Sequence, residues 1–133
     1  MLVDAGPLVA LLSGHDSHHR RCKAVFRKLR DPMLTVWPVL TEAMHLLRGS
    51  WRNQDKLFGL LEVVSVEIAP LGPSDLSRMR HLIQKYQNLP MDLADAALVT
   101  VAEREGINRV FTLDRRDFEV YRPAKIGRFS LVP

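Results

Sequence analysis

The chain has 133 residues, one cysteine and a formal net charge of +4, from 19 lysines and arginines against 15 aspartates and glutamates. Its length predicts a single domain over 1–133, and a hydrophobic fraction of 47% excludes a disordered tail protein. One cysteine excludes an intrachain disulfide framework, and no stretch reaches the roughly 18 uncharged apolar residues of a membrane span.

Short apolar runs alternate with segments of helical pattern from the first residues onward. Asp4 interrupts the apolar start and no basic stretch precedes it, so we expect a first fold element, no signal peptide and a cytoplasmic protein. The predicted elements of the first half are a buried strand Met1–Asp4, a turn over Ala5–Pro7, a helix to Leu12, a helix from an Asp16 cap to Arg30, a strand Leu34–Trp37, a helix from Pro38 to Arg48 and a helix Gln54–Glu62.

The second half repeats the alternation. Its predicted elements are a strand Val63–Ile68, a helix opened by Gly72-Pro73-Ser74 and running to Gln87, a helix Met91–Glu105 closed by Gly106, a strand Arg109–Thr112, a helical turn Asp114–Phe118 and a strand Ile126–Val132. Strands that alternate with helices predict an α/β fold with a mostly parallel sheet of about 4–5 strands flanked by helices.

A basic segment occupies residues 20–30, which contain no acidic residue. A one-sided basic surface suits a polyanion such as nucleic acid, but a solvated helix face is the simpler explanation and the one we prefer for this feature alone. Its members are Arg20, Arg21, Lys23, Arg27, Lys28 and Arg30.

Two aspartates stand at predicted strand ends. Asp4 follows Leu2 and Val3, and Asp114 follows the strand around Phe111. Ligands of open α/β sheets bind at the carboxyl ends of strands, which favours a functional site. Helix capping is the alternative for both, and Asp117 would then complete a turn begun by Asp114.

Three further carboxylates lie on predicted helices. Glu42 rises from an apolar stripe between Val39 and Leu46, so it is either buried with a partner or reaches solvent at the edge of the stripe. Asp92 and Asp95 lie one turn apart at the start of a helix that is apolar almost all round. Acids favour any first helical turn, which explains Asp92 better than Asp95. Convergent carboxylates of this kind suit Mg²⁺ or Mn²⁺.

Four fragments resemble the PIN-domain family, and most of all the VapC-type ribonuclease toxins of bacterial type II toxin–antitoxin systems. These fragments, which span essentially the whole chain, are LVDAGPLVALL, LTEAMHLL, ADAALVTVA and TLDRRDF. The resemblance implies a PIN-like three-layer sandwich with the acidic site on Asp4, Glu42, Asp95 and Asp114. One departure is Gly6, because many members have Ser or Thr at that position.

The resemblance further implies a metal-dependent endoribonuclease that hydrolyses phosphodiester bonds of RNA as the toxin of such a pair. Asp4 and Asp95 are its expected metal ligands, with Thr112 supporting a ligand carboxylate. A homodimer and a small antitoxin partner are also implied. The further acids that can ligate are Asp92, Asp114 and Asp117, and the residues expected to hold nucleic acid are Arg20, Arg21, Lys23, Arg115 and Arg116.

Other interpretations remain open. A PIN-like fold can bind RNA or a partner without turnover. A zinc-binding module would use His15, His18, His19 and Cys22, although four ligands on one helix do not easily surround an ion. A phosphatase of the haloacid-dehalogenase type is disfavoured, because its second aspartate is replaced by Gly6.

Two tryptophans and one apolar stretch can be explained either by a function or by a place in the core. Trp37 and Trp51 can stack on bases, but we expect Trp37 to lie in the core. The stretch Leu57–Val66 is likewise expected to be core before it is a contact surface.

Overall fold

The computed structural model describes residues 1–63 and 66–133. Within them, five strands form one sheet in the order β3-β2-β1-β4-β5, and every neighbouring pair is parallel. The strands are β1 (Leu2–Val3), β2 (Met33–Thr35), β3 (Val66–Ile68), β4 (Arg109–Phe111) and β5 (Ser130–Val132). The predicted α/β class and strand number are confirmed.

Helices connect and flank the strands. α1 packs against α2, α3 and α4, while α6 packs against α3 and α5. The helices are α1 (Ala5–Leu12), α2 (His19–Phe26), α3 (Trp37–Leu46), α4 (Trp51–Val63), α5 (Leu76–Lys85), α6 (Leu93–Glu105) and α7 (Arg115–Val120), with a 3₁₀ turn over Pro73–Asp75 before α5.

Several helices and strands of the first half begin or end at other residues than predicted, in part because side chains form hydrogen bonds there. Asp4 caps α1 directly, so the predicted turn over Ala5–Pro7 is wrong. Asp16 accepts a hydrogen bond from the His18 N–H at 2.8 Å and ends a turn there, which delays the start of α2 to His19.

Arg27–Arg30 lie beyond α2. Val36 is extended and stands before α3, so Trp37 is helical and β2 ends two residues earlier than predicted.

The segment between α4 and β3 also differs from the prediction. Val63 ends α4 instead of opening a strand, and Val66–Ile68 is extended as predicted. Residues 64 and 65 lie outside the described residues. Leu57 is buried, but Phe58 and Val63 are exposed, so the prediction of plain core for Leu57–Val66 is wrong for these two side chains.

Caps and turns define the second half. Asp92 stands before α6 as its cap, and Gly106 ends the helix in a left-handed conformation at φ 67°, which glycine adopts without strain. β5 begins at Ser130, not at Ile126, because turn hydrogen bonds to the Pro123 carbonyl occupy the preceding residues.

The core centres on α6 and an aromatic cluster. Tyr121 makes edge-to-face contacts with Tyr86 and Phe118, at ring-centroid distances of 5.0 and 5.3 Å. Among the described residues, no helix combines the length and apolar character needed to cross a bilayer. Eight side chains of α6 are buried: Ala94, Ala96, Ala97, Leu98, Val99, Thr100, Val101 and Ala102.

Candidate active site

A cavity of about 390 Å³ opens where β1 and β4 end and α3, α6 and α7 approach one another. Side chains of six acids line it, and neither lysine nor arginine is among its lining residues. The structure therefore brings together the acids that the sequence analysis singled out at separate places in the chain. The six are Asp4, Glu42, Asp92, Asp95, Asp114 and Asp117.

Asp4 is the most buried of the six, with 8% of the residue exposed. It accepts hydrogen bonds from the Ala5 N–H at 2.7 Å and from the Thr112 hydroxyl at 2.8 Å. The same hydroxyl oxygen accepts a bond from the Asp114 N–H at 3.0 Å. Thr112 thus connects the two strand-end acids. Asp4 therefore caps α1 and lines the cavity at the same time, so the two interpretations are compatible.

Asp92 and Asp95 are arranged by the start of α6. The Asp95 N–H donates to the Asp92 carboxylate at 2.8 Å, so Asp92 is the cap and Asp95 lies in the first turn. The Tyr121 hydroxyl donates to Asp95 Oδ2 at 2.6 Å. Asp95 is half-buried and accepts the Tyr121 hydrogen bond, whereas Asp92 is exposed. The Asp95 carboxylate is therefore the more firmly held of the two.

Asp114 is the cap of α7, and its carboxylate accepts the Asp117 N–H at 3.3 Å. This is the turn that the sequence predicted as the capping alternative. Both residues nevertheless line the cavity. The capping interpretation is confirmed and does not remove either carboxylate from the site.

Glu42 is exposed at the mouth of the cavity. Of the two predicted environments, the edge of the apolar stripe is therefore the one observed. Val39 is buried and Leu46 is 52% exposed, so the apolar stripe becomes exposed along α3. Glu42, which lies between the two residues, is on the solvent side.

Burial and repulsion between charges raise the pKa values of Asp4, Glu42 and Asp95. Burial is the main cause for Asp95, whose pKa rises to about 8 against the effect of the Tyr121 hydrogen bond. Burial likewise raises the pKa of Asp4, and the charges of Asp92 and Asp114 add to it. The pKa of Glu42 is raised first by the partial loss of water around its carboxyl and then by the charge of Asp4. A cation in the cavity would offset this repulsion.

The donor set fits a hard divalent ion in its chemistry. Six carboxylates supply the oxygen ligands that Mg²⁺ and Mn²⁺ prefer. Among residues 1–63 and 66–133, no three His, Cys, Asp or Glu side chains already form an ion-sized cluster. The cavity thus fits an ion that keeps part of its water shell better than one enclosed by protein ligands.

Other predicted site residues lie outside the cavity. Arg20, Arg21 and Lys23 are exposed on α2, and Arg115 and Arg116 are exposed at the start of α7, directly after Asp114. Of the zinc alternative, His15 and His18 precede α2 instead of sharing its face, and Cys22 is buried.

Trp37 is 59% exposed, so the prediction that it lies in the core is wrong. It lines a groove of about 660 Å³ that shares Glu42 and Asp92 with the acidic cavity. Trp51 is also exposed, at 66%.

Two residues at the site were not predicted. Tyr121 follows α7 and carried no signal in its sequence neighbourhood, because its partner Asp95 is 26 positions away. Leu113 packs against Gly6, where an added Cβ would lie 3.3 Å from the Leu113 Cβ. A serine or threonine at this position would need the Leu113 side chain to shift by a few tenths of an ångström.

Comparisons with known proteins show the family and the fold. A family model described as PIN domain matches residues 1–123. The chain is 27% identical over 135 residues to ribonuclease VapC26 of Mycobacterium tuberculosis strain H37Rv, and the alignment covers both proteins completely.

Two solved structures share the fold. The crystal structure of Mycobacterium tuberculosis VapC20, described as a sarcin-ricin loop cleaving toxin, superposes with a TM-score of 0.79 at 19% identity, over 86% of this chain and 90% of that one. A toxin–antitoxin complex from Klebsiella pneumoniae gives a TM-score of 0.69 at 17% identity, over 99% and 95%.

Proposed function

Since the chain belongs to the PIN-domain family, we propose that it is a metal-dependent endoribonuclease that hydrolyses phosphodiester bonds of RNA. The observation that carries the proposal is the cavity at the carboxyl edge of the sheet, with six carboxylates and no basic residue in its lining. The full-length similarity to a ribonuclease supports it. We take residues 1–133 as one nuclease domain.

Asp4 and Asp95 are the main metal ligands in this proposal. Both are held by hydroxyl groups, Asp4 by Thr112 and Asp95 by Tyr121, so their carboxylates are oriented before an ion arrives. When bound, Mg²⁺ or Mn²⁺ lowers the pKa of a coordinated water and stabilises charge on the phosphoryl oxygens. Asp92, Asp114 and Asp117 are available as further oxygen ligands.

Glu42 and Asp114 complete the site from its solvent side. Both are exposed carboxylates in the lining of the cavity, where an incoming phosphodiester and its attacking water must pass. They can accept hydrogen bonds from that water and orient it toward phosphorus.

The biological role that we propose is that of a toxin, with RNA as substrate and a small antitoxin protein as partner. The structural likeness to a toxin–antitoxin complex supports this role. A homodimer in the cytoplasm, without a membrane partner, completes the proposal and rests on the family resemblance.

The test is cleavage of RNA by the purified protein with Mn²⁺ or Mg²⁺, with EDTA, and by Asp4→Asn and Asp95→Asn. Each substitution removes one carboxylate oxygen and its charge while keeping the shape of the side chain. We expect metal-dependent cleavage that falls by more than the roughly 10–100-fold typical of a residue that only supports a ligand.

The matched control is Asp55→Asn, which makes the same change on an exposed residue of α4 outside the cavity. It should cleave as the parent does. Binding of RNA without cleavage at any metal concentration would contradict the catalytic proposal and favour a non-catalytic binding protein.

A further inference from the structure

Trp37 carries an exposed aromatic ring beside the acidic cavity. It is the first residue of α3, and 59% of it is exposed. Val36 before it is buried, and Pro38 after it has a fixed backbone angle in the first helical turn, so the backbone that carries the ring is held on both sides. A ring of this kind binds a ligand at a low cost in conformational entropy.

The ring lines the groove of about 660 Å³ next to the cavity, which we call the Trp37 groove. One wall of this groove is a single face of α3, because Trp37, Thr41 and His45 recur at four-residue intervals. The other wall is the start of α6, where Leu93 is 53% exposed. The groove therefore presents an indole ring opposite an exposed aliphatic side chain.

The Trp37 groove is continuous with the acidic cavity, since Glu42 and Asp92 line both. Trp37 and Glu42 are five residues apart on α3, which corresponds to about 7.5 Å along the helix axis. A nucleotide bridges a gap of this order between its phosphate and its base. A strand with one phosphate in the cavity can therefore place a neighbouring base against the Trp37 ring.

The lining of the Trp37 groove suits a base better than a phosphate. Among the described residues that line it, Glu42 and Asp92 are acidic and none is a lysine or an arginine, so the groove repels an anion. A base is neutral, has a flat π-face for the indole ring and has edge groups that bond to protein oxygens. The Thr41 hydroxyl donates to the Trp37 carbonyl at 3.1 Å and keeps its lone pairs as acceptors for such a group.

A second groove that Trp37 lines has a different character. It measures about 260 Å³, lies between α3 and α4, and shares no described lining residue with the acidic cavity. None of the described residues in its lining is charged, and Phe58 within it is 53% exposed. Apolar side chains of a protein partner suit this second groove, whereas continuity with the cavity favours RNA in the Trp37 groove.

Trp51 does not share these features. It is 66% exposed on α4, but it lines neither groove and does not line the acidic cavity. The guanidinium of Arg52 already lies over its ring, 4.9 Å from the centroid. Trp51 is therefore a matched control for Trp37 within the same chain.

We infer that the Trp37 groove binds a base of the RNA strand next to the phosphate that is cleaved, with the indole ring of Trp37 stacked on that base. This inference rests on the proposed function and adds to it a residue that positions the substrate. Stacking accepts any of the four bases, because each has a π-face. Trp37 acts on binding and on the register of the strand, while the hydrolysis itself depends on the carboxylates.

The first test uses the fluorescence of Trp37. The chain has two tryptophans, so Trp51→Phe leaves Trp37 as the only indole. In the Asp95→Asn background with Mg²⁺, we expect a short single-stranded RNA of mixed sequence to quench this fluorescence. An oligonucleotide of the same length built from abasic sugars keeps the phosphates and should leave the fluorescence unchanged. The matched control is Trp37→Phe, in which Trp51 is the only indole and should respond to neither probe.

The second test is the affinity for the same RNA, measured by anisotropy over a range of salt concentrations. Trp37→Ala should bind about tenfold more weakly, as for the loss of one stacked base, and Trp37→Phe should lose less because it keeps an aromatic face. The slope of log K against log salt should stay that of the background, since no phosphate contact is removed. Trp51→Ala should bind as the background does.

Equal quenching of Trp37 by the RNA and by the abasic oligonucleotide would overturn the inference. Unchanged RNA affinity in Trp37→Ala would overturn it as well and would leave the groove to a protein partner. Parent protein that cleaves RNA beside either result would leave the proposed function standing, whereas a parent that neither binds nor cleaves RNA would overturn both.

Discussion

The hydroxyl of Tyr121 reaches Asp95 from a buried ring packed between Tyr86 and Phe118. Burial is the largest cause that raises the pKa of this phenol, and the Asp95 carboxylate adds to it, so Tyr121 stays a hydrogen-bond donor at any working pH. If Asp95 holds the metal as we propose, Tyr121 positions it, since residues that orient a ligand tune metal affinity without touching the ion.

Tyr121→Phe removes only that hydroxyl and keeps the ring. We expect the affinity for Mn²⁺, measured by calorimetric titration, to weaken by about 10–100-fold. The control is Tyr86→Phe, which removes a tyrosine hydroxyl that accepts the Arg122 N–H and does not contact the cavity. Equal Mn²⁺ affinity in the two variants would refute a positioning role for Tyr121.

Single residues differed in how well the sequence predicted them. The positions of Asp4 and Asp114 at strand ends were predictable, because a strand end shows as a pattern of neighbouring residues. Glu42 lines the cavity, and its catalytic role stays a prediction. Its exposure depends on how α3 packs against α6, which no local pattern contains. Tyr121 and Leu113 were missed because their importance arises only from contacts made across the fold.

Among the elements, the start of α6 serves both the fold and the site. Asp92 holds the first turn by accepting the Asp95 N–H, and a cap of this kind contributes about 1 kcal/mol. The cap therefore fixes the backbone of the residue that we propose as a metal ligand.

Asp92→Ala should lower the free energy of unfolding by about 1 kcal/mol, whereas Asp92→Asn should leave it nearly unchanged, because asparagine caps a helix as well as aspartate does. Urea denaturation of the two variants checks this difference. Cleavage by Asp92→Asn then reports the loss of charge alone, and we expect it to fall less than in Asp95→Asn. The opposite order would make Asp92 the main ligand.

A second element contact joins α5 to α6. Arg78 binds both carboxylate oxygens of Glu103 at 2.6 and 2.7 Å, and the Ala124 N–H donates to the same carboxylate at 2.8 Å. Burial raises the pKa of Glu103, but these hydrogen bonds and the charges of Arg78 and Lys85 together lower it below its usual value.

The sign of the pH effect follows from this lowered pKa. The stabilisation by Glu103 is fully present above pH 4.5, its ordinary value, and is lost as the pH falls through the lower folded-state pKa. Glu103→Gln should cost about 1–2 kcal/mol at neutral pH and progressively less in acid. Melting curves over that range test it, with Glu105→Gln, from an exposed pair, as a control that should show almost no effect.

Element types were easier to predict than their limits. The long apolar pattern and the glycine at its end, Gly106, were sufficient to predict helix α6. The start of α2 was not predictable, because Asp16 caps a turn and not the helix. Val63 has strand propensity, but it is the last residue of α4.

At the scale of the whole molecule, charge is strongly segregated. Six of the 15 acidic residues face one cavity, although the chain as a whole has a net charge of +4. The remaining surface is therefore basic and attracts a polyanion, while the cavity attracts a cation.

Binding of Mn²⁺ should stabilise the whole fold, since an ion that binds only the folded state shifts the unfolding equilibrium. At a hundredfold excess over Kd the gain is about 2.7 kcal/mol, which corresponds to a rise in Tm of roughly 10 °C. Calorimetry of the EDTA-treated protein with and without Mn²⁺ measures it. Asp4→Asn should lose most of this rise, and an equal rise in that variant would place the ion elsewhere.

The central position of β1 has a consequence for the order in which the protein is made. The hydrogen bond between Asp4 and Thr112 spans 108 positions, and β1 cannot pair with β4 until β4 has left the ribosome. At about 5–20 residues per second, synthesis of the intervening chain takes roughly 5–20 s. During translation the nascent chain carries Asp4 without its partners. Under the role that we propose for Asp4, an unfinished copy should not cut the RNA around it.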